Sequence, residues 1–269
     1  GSAFLPACFQ GTPIGAQGVS SLPNLYNREL TSAQQRKQLD LVQKMNRELR
    51  ERSGVNDELD GVIESFELAF RMQGKVPEVM DIKNESQKTI DSYGIGRGKA
   101  SDAFGKQCLM ARRFAENGVR YIEVHHGGWD LHNGLKARLT KNAASTDAPI
   151  AGLLSDLKER GMLKDTLVVW GGEFGRTPAG QSAKGDGRRH NNRGYSMWMA
   201  GGGIRGGMRY GATDEFGDTA IKGKIHIHDL HATMLHQLGL DHEKLTYKYA
   251  GRDFRLTDVY GNVVKEILS

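Results

Sequence analysis

Residues Pro149-Ile150-Ala151-Gly152-Leu153-Leu154-Ser155-Asp156-Leu157-Lys158-Glu159-Arg160, then Gly161, then Thr166-Leu167-Val168-Val169-Trp170, decide the fold class. The first run fits a helix, with Thr146 and Asp147 as caps before it and Gly161 as the stop after it. The second run is rich in β-branched and apolar residues, the pattern of a buried strand. Upstream, Val119 to Val124 reads as another buried strand. Downstream, Tyr195 to Ala200 reads as a third, followed by Gly201-Gly202-Gly203. Strand, helix and strand in this order predict an α/β sheet flanked by helices. In such sheets ligands bind at loops beyond the strand ends. Three polar loops follow strands in that way: His125–Asn133, Gly171–Arg193 and Gly201–Gly207.

The first 118 residues read as a mainly helical segment. A Gly/Pro/Ser-rich lead-in runs to Pro23. Thr31 or Ser32 caps a helix to about Arg52, with Gly54 after it. A second helix fits Asp57 to Met72, and Pro77 ends any continuation. A third runs from Ser101 to about Asn117, where Gly118 suits a left-handed cap. Cys108 lies inside it among apolar residues, which suits a buried free thiol. Near the C-terminus, Asp229 caps a helix from Leu230 to Leu238.

The chain has 269 residues and a formal charge of +5. No apolar run reaches the roughly 18–20 residues of a membrane span. Two cysteines, Cys8 and Cys108, cannot build a disulfide framework. All nine histidines lie between His125 and His242, so chemistry is expected in the second half. Between Lys184 and Arg209 stand Lys184, Arg188, Arg189, Arg193, Arg205 and Arg209 against Asp186 alone, an excess equal to that of the whole chain. This local excess suits a small anionic ester. A nucleic-acid track would be longer and interleaved with aromatic residues, so no nucleic-acid partner is expected.

Four constellations carry candidate chemistry. In Trp129-Asp130-Leu131-His132 a carboxylate and an imidazole two residues apart can turn towards one cation. In Gly172-Glu173-Phe174-Gly175-Arg176-Thr177-Pro178, Glu173 offers a ligand and Arg176 a planar fork for an anion. His190 stands in the same kind of loop. The last constellation, His226-Ile227-His228-Asp229-Leu230-His231, fits a helix start better than a metal site. The alternatives for the first two are a polar loop bonded to its own backbone and an Arg–Glu ion pair.

These segments, with Gln10-Gly11-Thr12-Pro13, Glu67–Gln73 and Cys108–Arg113, resemble a bacterial sulfatase-like domain-of-unknown-function family placed in the alkaline phosphatase superfamily. The resemblance implies an alkaline phosphatase/sulfatase-like sheet in a single domain, of which this chain is similar to the C-terminal portion. It implies an exported or periplasmic protein that hydrolyses phosphate or sulfate esters with a divalent metal. Zinc is the first expectation, with manganese, calcium or magnesium as alternatives. Asp130, His132, Glu173 and His190 would hold the metal. Arg176, Arg188 and Arg193 would neutralise the ester oxygens. Phe174 stands where the superfamily has a second ligand, and this departure supports the rival expectation, a catalytically degenerate binding or structural protein.

Overall fold

The computed structural model describes residues 5, 11–14, 27, 29–53, 57–96, 100–181 and 185–269. Most of the lead-in to Pro23, with Cys8, Gln10, Gly54 and Lys184, lies outside them, as do most of the side chains of the expected second helix. The chain packs as two compact units, residues 1–85 and 86–269. Among the described residues, no helix is long and apolar enough to cross a membrane.

The first unit holds helices α1 (Ser32–Ser53) and α2 (Asp57–Met80). The start of α1 falls where the sequence placed it. The Thr31 hydroxyl accepts from the Gln34 N–H at 3.3 Å, while the Gln34 side chain accepts from the Thr31 N–H at 2.9 Å. This reciprocal pair satisfies two amide donors at the helix start. Pro77 does not end α2. The helix runs three residues further and buries Val76, Val79 and Met80, a gain that opposes the proline penalty. Arg36 on α1 meets the Glu67 carboxylate on α2 through two bonds of 2.9 Å each.

The second unit is a mixed α/β arrangement. It contains α3 (Gln87–Ser92), α4 (Asp102–Glu116), α5 (Leu135–Glu159) and α6 (Ile227–Gln237). Its strands are β1 (Val168–Trp170), β2 (Gly175–Gly180), β3 (Arg188–Asn191), β4 (Trp198–Ala200), β5 (Ala212–Thr213), β6 (Ala220–Lys222), β7 (Thr246–Tyr249) and β8 (Arg252–Arg255). Among the described residues they form four two-stranded antiparallel pairs: β1 with β4, β2 with β3, β5 with β6, and β7 with β8. The expected alkaline phosphatase-like sheet is therefore corrected to small antiparallel sheets.

Several elements differ from expectation for local reasons. Val119–Val124 joins no ladder among the described residues; Tyr121 and Glu123 are exposed and Ile122 and Val124 half-buried. Helix α5 starts fourteen residues before Pro149. Thr146 does not cap it: its hydroxyl donates back to the Asn142 carbonyl at 3.2 Å, from inside the helix. Asp229 is not the first cap of α6 either. His226 holds that place, accepting the His228 N–H at 3.3 Å, while Asp229 accepts the His226 N–H at 2.8 Å. The region from Gly171 to Arg193, read as one loop, contains the β2–β3 hairpin.

The helical layer of this unit closes around a buried charge. Arg112 on α4 is 1% exposed. Its Nε lies 2.9 Å from Asp156 on α5, and its Nη1 lies 2.6 Å from Glu116. The fully buried Tyr93 donates its hydroxyl to Asp156 at 3.0 Å. Burial pushes the Tyr93 phenol well above its ordinary value, so it stays a donor. Cys108 is buried on the same helix, and burial pushes its thiol up to about 12.

Candidate metal centre

The loop between α4 and α5 carries two of the candidate ligands. Leu131 is 2% exposed, and its neighbours on either side face the other way, so Asp130 and His132 share one face. All three tryptophans anchor this loop. Trp129 meets Trp170 edge to face at 6.1 Å, and Trp170 stacks on Trp198 at 6.5 Å across the β1–β4 pair. His126 completes the anchor. It accepts the Trp129 indole N–H on Nδ1 at 3.0 Å and donates from Nε2 to Ser145 on α5 at 2.7 Å. Ser145 passes its own proton to the Asn142 carbonyl at 2.7 Å. His126 is thus a neutral structural histidine with both ring nitrogens engaged.

The third ligand arrives on the hairpin. Arg176 on β2 and His190 on β3 are register partners in the antiparallel ladder, so their side chains emerge side by side. The hairpin's turn docks on the ligand loop. The Arg188 N–H donates to the Leu131 carbonyl at 3.0 Å, and the Leu135 N–H donates to the Asp186 carbonyl at 2.7 Å. Only a glycine fits at 187: a Cβ there would lie 1.9 Å from the His132 carbonyl oxygen.

Asp130, His132 and His190 each present one ligand atom, all within 4.8 Å of one another. They are the one such group among the described residues. His132 Nε2 and His190 Nε2 each lie 2.9 Å from Asp130 Oδ1. Arg176 Nη1 donates to the same oxygen at 2.6 Å. Hydrogen bonds from His190 and Arg176 hold the Asp130 carboxyl down at about 2, so it is ionised at any working pH. Gln181, which sequence reasoning missed, accepts from His132 Nδ1 at 2.6 Å. That bond fixes the Nδ1 proton and orients the ring so that Nε2, the nitrogen a metal would take, is directed at Asp130. No spacing rule points to Gln181; its proximity arises only when the hairpin folds over.

The remaining expected residues lie elsewhere. Glu173 is exposed in the turn before β2 and outside the cluster. Arg188 braces its own turn, donating to the carbonyls of Gly185 at 3.0 Å and Gly187 at 2.9 Å. Arg193 pairs with the Asp218 carboxylate. Phe174 packs its ring 4.3 Å from that of His190, an apolar wall on one side of the cluster. His226, His228 and Asp229 shape the start of α6, as described above.

A family model described as Protein of unknown function (DUF1501) matches residues 1–268. The chain belongs to that family. The match corrects the expected placement in the alkaline phosphatase superfamily: DUF1501 is a specific family of unknown function, and nothing in the match links it to sulfatase-like proteins. No curated protein and no solved structure matches the chain.

Proposed function

We propose that this DUF1501 chain binds one divalent cation through Asp130, His132 and His190 and hydrolyses phosphate or sulfate esters there. The observation that carries the reading is the convergence of one carboxylate and two imidazoles on one point, with Gln181 orienting His132. Two nitrogen donors and one oxygen donor suit zinc, and three protein ligands leave a coordination position open. When bound, such a cation supplies a Lewis acid that polarises an ester oxygen and lowers the pKa of a water molecule.

The chain's own residues do the rest. Asp130 brings a full negative charge that needs no proton to be lost on binding. Arg176 brings a guanidinium on the hairpin beside His190, placed to take the non-bridging oxygens of a tetrahedral ester. Phe174 supplies an apolar wall on the His190 side.

A second reading, metal binding without turnover, rests on Phe174 and Glu173. The first offers no ligand and the second lies outside the cluster, so nothing among the described residues holds a second cation beside the first. Assays with p-nitrophenyl phosphate and p-nitrophenyl sulfate, with zinc or manganese added back to chelator-stripped protein, separate the two. Hydrolysis that needs metal and fails in Asp130→Asn supports the enzyme. Bound metal without hydrolysis of either ester supports the second reading and overturns the first.

A further inference from the structure

The three donors around Asp130 do not divide its carboxylate evenly. Both imidazole Nε2 atoms and the Arg176 guanidinium converge on the single oxygen Oδ1. The shortest of these contacts, 2.6 Å, is that of Arg176. A guanidinium is a permanent cation, and its charge sits where a metal ion's charge has to sit. The Arg176 side chain has no other hydrogen-bond partner among the described residues, and its Cζ lies 5.6 Å from the centre of the Phe174 ring. It is half-buried on β2, so its backbone is fixed by the ladder while its long side chain can turn.

We infer that Arg176 is a built-in competitor for the cation and that a tetrahedral oxyanion relieves the competition, so that cation and anion bind cooperatively. The inference rests on the metal-binding reading above. A divalent cation at Asp130 displaces the guanidinium from Oδ1. The displaced guanidinium keeps a planar pair of donors a side chain's length from the cation, which is the arrangement that receives two oxygens of a sulfate or phosphate group. An anion held there satisfies both the cation and Arg176. By linkage, whatever factor the anion adds to cation affinity, the cation adds to anion affinity. Substrate-class selectivity follows: an anionic tetrahedral ester engages both groups, and a neutral ester engages only one. His132 and His190 face the same oxygen, and neither can take over the anion while its Nε2 is directed at Asp130.

The experiment is zinc titration against a competing chromophoric chelator, with free zinc buffered, in chloride and in sulfate at matched ionic strength. Wild type, Arg176→Met and Arg176→Lys are compared. In chloride, Arg176→Met is expected to bind zinc about two- to fivefold more tightly than wild type, the factor by which an exposed ion pair opposes its disruption. In sulfate, wild type is expected to gain affinity and Arg176→Met to show no gain. Arg176→Lys keeps the charge without the planar fork and falls between them. An Arg176→Met variant that binds zinc no tighter than wild type, with the sulfate effect intact, overturns the inference while leaving the metal site standing. Absence of zinc binding in both wild type and Arg176→Met overturns the metal site itself, and the inference with it.

Discussion

Replacing Gly187 by alanine tests how the ligand loop and the hairpin are joined. A Cβ at 187 would lie 1.9 Å from the His132 carbonyl oxygen, 2.2 Å from its carbon and 2.8 Å from the Asn133 nitrogen. All three are backbone atoms, so no side chain can swing aside. Real Cβ contacts essentially never fall below 3.0 Å, so the two segments must separate by about 1 Å. The opening falls on the 3.0 Å bond from the Arg188 N–H to the Leu131 carbonyl, and it carries His132 away from His190. Overpacking of this kind costs about 1–3 kcal/mol. For a unit of this size that is a fall in Tm of roughly 2–10 °C. Metal ligands tolerate errors of about 0.2 Å, so a displacement near 1 Å is expected to weaken zinc binding by about 10- to 100-fold. Thermal denaturation by circular dichroism reads the first effect, and chelator competition reads the second. Wild-type values for both in Gly187→Ala would refute the docking geometry, and a lower Tm with unchanged zinc affinity would refute the link from docking to the site.

Other outcomes follow from the same structure. Gln181→Leu removes the acceptor for His132 Nδ1 and is expected to lower zinc affinity about tenfold, with Gln181→Glu restoring it, in the same chelator competition. In chelator-stripped protein the Asp130 carboxyl is expected to titrate at about 2 by carbon-detected NMR, and His190→Ala should move it up towards 3.8. Because this carboxyl is depressed on folding, its contribution to stability is present above 3.8 and is lost as pH falls towards 2; a midpoint unmoved by His190→Ala would refute the pairing. Asp156→Ala leaves the buried Arg112 without one carboxylate and is expected to cost about 3 kcal/mol or more in urea unfolding. Cys108 is expected to resist thiol reagents in folded Cys8→Ser protein and to react once the chain is denatured, since burial holds its thiol up at about 12.

Local elements with strong periodicity were legible in the sequence, and pairings were not. The start of α1, the span of α4 and the core of β1 follow from caps and apolar runs close to each other in the chain. The β2–β3 hairpin was hidden because Gly175–Gly180 and Arg188–Asn191 are rich in glycine and arginine, residues that read as loop. Only the ladder between Arg176 and His190 makes them strands. Helix α5 was cut short because Thr146, Asp147 and Pro149 look like a helix start, yet the Thr146 hydroxyl bonds backward within a helix already under way. At the site, Asp130 and His132 could be grouped from their spacing around Leu131. Gln181 could not, since its partner is 49 positions away in the chain. The positive stretch misled for the opposite reason: Arg188, Arg193 and Arg205 each have partners within the fold, namely carbonyls of Gly185 and Gly187, the Asp218 carboxylate and the Leu268 carbonyl. Charge counted along a chain does not reveal which charges are already paired.

The most direct test of the central claim is zinc stoichiometry after equilibrium dialysis of wild type, Asp130→Ala, His190→Ala and His231→Ala. His231 lies on α6 beyond the cap residues and outside the cluster, so it serves as the control histidine. The account predicts one zinc per chain in wild type and in His231→Ala, and its loss in the other two. No zinc in wild type, or an equal loss in all three variants, would contradict it.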